Sequence, residues 1–233
     1  MDRRIGTREE WLTARKKLLV REKELTRQRD ALAADRRALP WVKVEKNYVF
    51  DSTKGKVSLA ELFENREQLM VYHFMYGPDW KAGCPGCSFI CDHVDAARQH
   101  FEHNNLSFAA VSRASVAQIE AYKKRMGWTF PWVSSQTSDF NYDFHVSFRK
   151  ADLEAGPVEY NFKKEKGTME ELHGESMFFK DKDGTIYHTY SSYARAGEEL
   201  LGAYRFLDLA PLGRDEGSEG MGKWMRRHDE YGT

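Results

Sequence analysis

The chain has 233 residues, of which 41% are hydrophobic and 31% are charged, which is the composition of a folded globular protein rather than a disordered one. Its 36 Lys and Arg balance its 36 Asp and Glu, so the basic excess of a general nucleic-acid binder is missing and no nucleic acid is predicted as a partner. No apolar run reaches the ~18 residues of a membrane span, and the charged start of the chain predicts no export signal. Three Cys are too few for a disulfide scaffold, which favours a reduced, cytoplasmic location.

Residues 1–40 predict one long helix. Thr7 provides an N-cap with acidic residues after it, and Pro40 closes the segment. The alternate heptad positions are mostly polar, so the pattern is not that of a full coiled coil. We expect the helix to pack on the protein body or, alternatively, to pair with a second copy in a homodimer. The apolar stripe recurs every seven residues: Trp11, Leu18, Leu25, Leu32 and Leu39.

Residues 41–212 predict one α/β domain. The predicted order is strand, helix, strand, helix, hairpin and helix, which favours a mixed sheet flanked by helices. With two cysteines just after the first core strand, this is the thioredoxin order. The predicted elements are a strand at 69–76, a helix from Cys84, a strand at 108–111, a helix at 115–127, hairpin strands at 175–179 and 186–190, and a helix at 198–209.

Two segments depart from this regular pattern. Residues 134–168 mix Asn, Asp, Ser and Gly with aromatic residues and predict an irregular insertion, with some strand content around 143–148. Residues 213–233 form a tail that is Gly-rich at first and then basic and aromatic. Because residues 224–231 are too aromatic for a solubility tail, we expect them to dock back onto the domain.

The strongest chemical signal is Cys84-Pro85-Gly86-Cys87 at a predicted helix start. The free N–H groups and positive dipole end of a helix favour a thiolate at the first cysteine. Cys87, one turn later, is placed to attack a mixed disulfide and close a ring. The alternatives are half of a zinc site, for which the chain offers no second Cys pair, and an inert pair of thiols.

Other residues could tune or extend this chemistry. His73 interrupts an apolar strand whose end should point at the Cys84 loop, so it is either a buried neutral histidine or a base facing the sulfurs. Asp92, on the predicted dithiol helix, is a second candidate for tuning protonation. Cys91 is either a buried small residue or a spare thiol that captures a sulfenate. His145 and His188 could join His73 and a thiolate in a copper, iron or zinc site.

Several motifs resemble the bacterial thioredoxin-like family known as domain of unknown function 899. The resemblance extends over nearly the whole chain, and it implies a thioredoxin-like fold related to the peroxiredoxin branch, with dithiol–disulfide isomerase or thioredoxin family protein as the usual label. The motifs are Tyr72–Pro78, Gly83–Phe89, Val111–Ala114, Gly127–Trp128, Pro131–Ser135, Asp139–Phe144, His188–Ser191, Leu212–Glu216 and Arg227–Tyr231.

The sequence departs from well-known thiol enzymes in two places. Thioredoxins carry a cis-proline just before the strand of the last hairpin, where this chain reads His173-Gly174-Glu175. Peroxiredoxins carry a Pro and a Thr closely before the reactive Cys. Here Pro78 precedes Cys84 by six residues and no Thr intervenes.

The sequence therefore predicts a thiol–disulfide oxidoreductase, or a peroxiredoxin-like enzyme, that acts on a protein or small-molecule thiol or disulfide. Cys84 would attack, Cys87 would resolve, and His73 and Asp92 would tune protonation. No cofactor and no membrane partner are predicted. One alternative is a metal-dependent redox enzyme that uses both thiols and histidines. Another is a non-catalytic binding module with a vestigial dithiol.

Overall fold

The computed structural model describes residues 5–218 and 224–232. Part of the predicted Gly-rich tail, and the charged start of the chain, lie outside these residues. The chain divides into two compact units, Met1–Pro40 and Trp41–Thr233. Within the described ranges, no helix combines the length and the apolar character needed to cross a membrane.

Helix α1 of the first unit spans Arg8–Arg37 and begins at the predicted cap, Thr7. The backbone N–H of Glu10 donates to the Thr7 hydroxyl at 3.2 Å, and the N–H of Thr7 donates to the Glu10 carboxylate at 2.8 Å. The side chain of each residue thus accepts a hydrogen bond from the backbone N–H of the other, and this reciprocal pair fixes the start of the helix. Trp11 and Leu18, the first two members of the predicted stripe, are about half exposed.

The described part of the second unit is built on one mixed sheet. Its strands are β1 (Val42–Lys43), β2 (Val49–Ser52), β3 (Gly55–Ser58), β4 (Gln68–His73), β5 (Leu106–Ser112), β6 (Trp132–Ser134), β9 (Gly174–Lys180) and β10 (Ile186–Tyr193). They lie in the order β1-β10-β9-β4-β5-β6-β2-β3. A separate hairpin is formed by β7 (Pro157–Tyr160) and β8 (Lys163–Lys166).

Helices cover this sheet and connect its strands. They are α2 (Pro85–Cys91), α3 (Val94–His103), α4 (Val116–Met126), α5 (Phe140–Asp143), α6 (Lys150–Ala155) and α7 (Gly202–Leu209), with 3-10 turns at Glu61–Phe63, Ala194–Leu200 and His228–Glu230. Helix α4 has the predicted start and stop. Ser115 caps it reciprocally with Gln118, and Gly127 ends it in the left-handed conformation, at φ 69°.

Four adjacent strands define the fold. β4 and β5 are parallel and are connected through α2 and α3, while β9 pairs antiparallel with the other edge of β4 and continues into the β9–β10 hairpin. The resulting order β10-β9-β4-β5, with the cysteine pair directly after β4, is the thioredoxin topology. The α/β, thioredoxin-like class predicted from the sequence is therefore confirmed, with α1 as an added N-terminal helix.

The sheet separates two apolar cores. On one face Tyr72 of β4 packs in the same cluster as Cys87 and Phe89 of α2. On the other face Val71 packs in the same cluster as Phe140. Because neighbouring residues of a strand point to opposite faces, position along β4 decides whether a side chain can meet the thiols.

The segment 134–168 is more regular than the sequence predicts, since it contains α5, α6 and the β7–β8 hairpin. The strand expected around 143–148 is not formed. The carbonyl oxygen of Asn141 accepts the N–H groups of both Val146 and Ser147, which turns the chain back on itself. Only Ser147 then makes a β-bridge.

The helix predicted over 198–209 is also shorter than expected. A 3-10 turn ends at Leu200, and α7 begins at Gly202. Leu201 between them has φ −85° and ψ 86°, outside the helical region, and its side chain is only 1% exposed. Burial of this leucine in the core therefore interrupts the helix.

Candidate functional site

Cys84 and Cys87 lie in the first turn of α2, beside the end of β4. The N–H of Cys84 donates to the carbonyl oxygen of Met75 at 3.1 Å, and the N–H of Met75 donates to the sulfur of Cys87 at 3.4 Å. Pro85 occupies the start of the helix, where its missing N–H costs no hydrogen bond. The backbone next to the central strand therefore holds the dithiol in place.

The residue before the motif has no room for a side chain. A Cβ built on Gly83 would lie 2.6 Å from Cε1 of Phe74 and 3.0 Å from Cε1 of Tyr122. Because glycine has no side chain, the backbone can pack directly against these two rings. This close contact determines the position of Cys84 at the helix start.

The two thiols of the motif are electrostatically unequal. Cys84 is partly exposed, and its pKa is lowered to about 6. The largest cause is a hydrogen bond from the Cys87 thiol. The backbone N–H groups of Cys87 and Gly86 and the charge of Arg227 act in the same direction, against burial. Cys87 is 2% exposed, and burial together with Cys84 raises its pKa. Near pH 7 the pair therefore holds a thiolate at Cys84 and a thiol at Cys87.

Arg227 is the functional residue that sequence reasoning missed. Its Nε and Nη2 donate to the carbonyl oxygen of Gly83 at 3.1 and 2.7 Å, and its Nε also contacts the hydroxyl of Tyr122 at 2.9 Å. Glu230 accepts a further hydrogen bond from Nη1 at 2.9 Å. The expected docking of the C-terminal segment is thus observed, and it brings a cation beside Cys84. The signals in the sequence were the basic and aromatic composition of the segment and the family-like motif Arg227–Tyr231, neither of which indicated a contact with the dithiol.

The start of α2 is supported from the core side by Ser88. Its hydroxyl donates to the carbonyl oxygen of Cys84 at 2.9 Å and shares a hydrogen bond of 2.8 Å with Tyr122. Tyr122 in turn accepts from Arg227, so one chain of hydrogen bonds joins the helix start to the C-terminal segment. This network orients the groups that surround the thiolate.

Cys91 lies one turn beyond Cys87, on the same helix, and is fully buried. Burial, with a smaller contribution from Asp92, raises its pKa well above that of a free thiol. A buried, protonated thiol is a weak nucleophile and a well-packed small residue. Its surroundings favour the packing interpretation over capture of a sulfenate.

The structure does not bring His73 to the sulfurs. It is the residue after Tyr72 on β4 and points to the opposite face of the sheet, where its ring stacks on Phe140 with centroids 5.5 Å apart. Its Nε2 lies 2.8 Å from the hydroxyl of Ser176. Burial lowers its pKa to about 3, so it is neutral at physiological pH. Its position matches the buried neutral histidine of the sequence analysis rather than a base facing the thiols.

Asp92 is also separated from Cys84. Asp92 caps the C-terminal end of α2, whereas Cys84 caps the N-terminal end, about 12 Å away along the helix. Its carboxylate accepts from Nε1 of Trp128 at 2.9 Å and pairs with Nδ1 of His228 at 2.7 Å. Asp92 therefore anchors the C-terminal segment, and its charge helps to raise the pKa of Cys91.

Comparison with known proteins places the chain in a family. The model of the family described as "Bacterial protein of unknown function (DUF899)" matches residues 1–231. The chain belongs to this family. The predicted family is thereby confirmed. A search of curated proteins finds no match.

Solved structures of peroxiredoxins are similar to this chain at low identity. A cysteine-to-serine mutant of PrxQ from Xylella fastidiosa is 18% identical and covers 70% of this chain and 89% of its own, with a TM-score of 0.44. A peroxiredoxin Q mutant from Xanthomonas campestris is 17% identical and covers 70% and 91%, with a TM-score of 0.44. The peroxidoxin BcpB from Mycobacterium tuberculosis is 14% identical and covers 71% and 98%, with a TM-score of 0.46.

The histidines proposed as metal ligands do not meet the dithiol. His145 is exposed. His188 lies on the same side of the sheet as His73, linked to it through hydrogen bonds with Ser191 and Ser176. Among the described residues, no three His, Cys, Asp or Glu side chains converge as a metal site would require.

Proposed function

We propose that the protein is a thiol–disulfide oxidoreductase in which Cys84 is the attacking thiolate and Cys87 the resolving thiol. The observation that carries this proposal is the inequality of the two thiols. A partly exposed Cys84 with a pKa of about 6 sits next to a buried Cys87 whose pKa is raised. This division separates the group that meets a substrate from the group that completes the reaction.

In the first step the Cys84 thiolate attacks one sulfur of a protein or small-molecule disulfide. A bond forms between Cys84 and that sulfur, and the substrate's own S–S bond breaks. The second substrate sulfur leaves with the electron pair as a thiolate. The backbone N–H groups at the helix start and the guanidinium of Arg227 favour the thiolate before it reacts. At pH 7 most of the protein is therefore ready to attack.

In the second step Cys87 loses its proton and attacks Cys84, which releases the remaining substrate sulfur as a thiolate. The substrate is reduced by two electrons and the dithiol is oxidised to a disulfide. Burial shields Cys87 from reagents in solution, while its place one turn from Cys84 keeps the two sulfurs within reach. The N–H of Met75 is already directed at the Cys87 sulfur and stabilises it as charge develops.

Intact mass after alkylation, over a series of glutathione redox buffers, tests this proposal. We expect a reversible loss of two hydrogen atoms (two protons and two electrons) confined to Cys84 and Cys87, with a midpoint in or above the ~−270 to −120 mV range of dithiol enzymes. Replacement of either cysteine by serine should abolish it. The matched control is Cys91→Ala, which should leave the transition unchanged because Cys91 is buried away from the pair. A pair that stays reduced across the whole series would contradict the proposal.

A further inference from the structure

Helix α1 exposes a row of large apolar side chains. Trp11, Leu18, Leu25 and Leu32 are 46–50% exposed. None of the residues of α1, all of which the structure describes, is buried, although the helix is 30 residues long. Most of the stability of a helix in a protein comes from the packing of its apolar face. The apolar row of α1 is therefore suited to being covered by a partner.

The charges beside this row follow the heptad repeat. With the apolar row at position a, Lys17 is a g residue and Glu22 is an e residue. In a parallel pair of helices, each g residue lies beside the e residue five positions later in the other helix. Lys17 thus meets Glu22 of a second copy, and Glu24 meets Arg29. Both contacts join opposite charges, so α1 is complementary to itself.

The second core position, d, is polar and is compatible with this pairing. In a parallel pair, a d residue packs beside the e residue that follows d in the other helix. Arg21 then lies beside Glu22 of the second copy, and Asp35 lies beside Arg36, so each charged d residue meets an opposite charge. Polar core residues lower the stability of a coiled coil while they specify its register. The d residues are Ala14, Arg21, Gln28 and Asp35.

The orientation of the pair follows from the single apolar position. In a parallel pair the a residues of both helices share a layer, so Leu18 meets Leu18 and Leu25 meets Leu25 of the second copy. In an antiparallel pair each a residue instead meets a d residue, which places a leucine opposite a polar side chain such as Arg21. Burial of apolar area is the main favourable term in association, and the parallel arrangement buries the row against itself.

The flanking charges are able to change partners. Within α1, Arg15 contacts Glu22 at 2.8 Å and Arg27 contacts Glu24 at 2.7 Å, and all four side chains are at least 38% exposed. Exposed ion pairs of this kind contribute little to stability. They therefore do not hold the charges away from a second helix.

We propose that α1 is a dimerisation helix that pairs in parallel with α1 of a second copy of this chain. The apolar rows form the centre of the pair, and contacts of Lys17 with Glu22 and of Glu24 with Arg29 flank it on both sides. The inference does not depend on the dithiol chemistry, so its failure leaves the proposed function unaffected.

Light scattering of the full-length protein after size exclusion, under reducing conditions and over a range of concentrations, tests the pairing. We expect the wild-type protein to have twice the mass of one chain. The double variant Lys17→Glu with Glu24→Lys exchanges two charges and places like charges opposite each other in a parallel pair. Four attractive contacts per dimer become repulsive, so the dissociation constant should rise at least about 10-fold.

A second double variant, Glu22→Lys with Arg29→Glu, provides the rescue. It should weaken the dimer of its own chain in the same way. An equimolar mixture of the two double variants should form a one-to-one heterodimer, because each altered charge then meets its opposite. Variants that had merely lost their fold could not restore each other's pairing.

Two neighbouring leucines provide a matched pair for the apolar row. Leu18 occupies position a and is 46% exposed, whereas Leu19 lies outside the row and is 40% exposed. Leu18→Asp should give a monomer, because two carboxylates would share one layer. Leu19→Asp should remain a dimer.

Each other result overturns the inference. A wild-type protein that is monomeric at every concentration overturns the dimer, and a monomer that Leu18→Asp destabilises would show that α1 packs on its own chain. A dimer that keeps its affinity after the exchange of Lys17 and Glu24 overturns the parallel orientation, since in an antiparallel pair these two residues face each other and remain matched. A dimer that Leu18→Asp leaves intact would show that the copies meet elsewhere.

Discussion

The guanidinium of Arg227 donates two hydrogen bonds to the carbonyl oxygen of Gly83, at 3.1 and 2.7 Å. This contact joins the C-terminal segment to the residue directly before Cys84. It places a cation near the Cys84 sulfur, and the charge of Arg227 helps to lower the pKa of that thiol. The dithiol site is therefore built from two distant parts of the chain.

Replacing Arg227 by Gln should raise the pKa of Cys84 and slow its reaction with iodoacetamide below pH 7. The reason is that one of the charges that favour the thiolate is removed, while the hydrogen bonds at the helix start remain. The pH dependence of the alkylation rate gives the pKa directly. Arg226→Gln serves as the control, since Arg226 is exposed and contacts the carbonyl oxygen of its neighbour Met225. A shift of equal size in both variants would contradict a specific role for Arg227.

Gly83→Ala should destabilise the protein by about 1–3 kcal/mol, the usual effect of overpacking a well-packed core. The added Cβ would stand 2.6 Å from the ring of Phe74, which has no room to retreat because it is buried. Urea unfolding measures the loss. Gly86→Ala is the matched control: its Cβ would meet Met225 at 3.5 Å, an ordinary contact, so little change is expected. Equal stability of the two variants would rule out the steric role of Gly83.

The stability of the reduced protein should rise by about 2–3 kcal/mol between pH 6 and pH 8 through Cys84 alone. Its pKa is lowered from 9.0 to about 6 in the folded state, so in this window the unfolded chain binds the proton and the folded chain does not. The contribution is lost as pH falls through 6. Denaturant titrations of wild type and Cys84→Ala, each under reducing conditions, isolate the effect. Parallel pH profiles would show that the folded thiol has an ordinary pKa.

His73 should make the protein less stable in acid. Its folded pKa is about 3, far below the usual 6.5, mainly because burial disfavours the imidazolium. Between pH 6.5 and pH 3 the imidazole is protonated in the unfolded chain but stays neutral in the folded chain. The free energy of unfolding therefore falls as the pH drops below 6.5, and it levels off near pH 3. The expected loss is up to about 4–5 kcal/mol. His73→Gln should flatten this slope, whereas His100→Gln, at an exposed site, should keep it.

The fold and the reactive pair could be predicted because their signals are local. An apolar run, a glycine-rich loop and a proline in the first turn identify strand, loop and helix start without knowledge of distant residues. The order of these units then determines the topology, since crossovers between parallel strands have one preferred hand. Cys84 and Cys87 follow from their place in that order.

The remaining parts of the site depend on distant contacts and on strand parity. Arg227 stands 144 positions beyond Gly83, and nothing in the adjacent sequence indicates that the two meet. His73 and Tyr72 are adjacent in the sequence, yet their side chains lie on opposite faces of the sheet because successive residues of a strand alternate. In each case the residue type indicated the possible chemistry, but the sequence did not show which side chains lie next to that residue in the folded protein.

The late position of Arg227 has a consequence for a chain that is still being synthesised. A ribosome completes both cysteines and most of the sheet long before it adds this arginine. Until then the nascent dithiol lacks the cation that helps to hold its first sulfur as a thiolate. We therefore expect the pKa of Cys84 to be higher in a nascent chain that ends before residue 227 than in a chain that includes it.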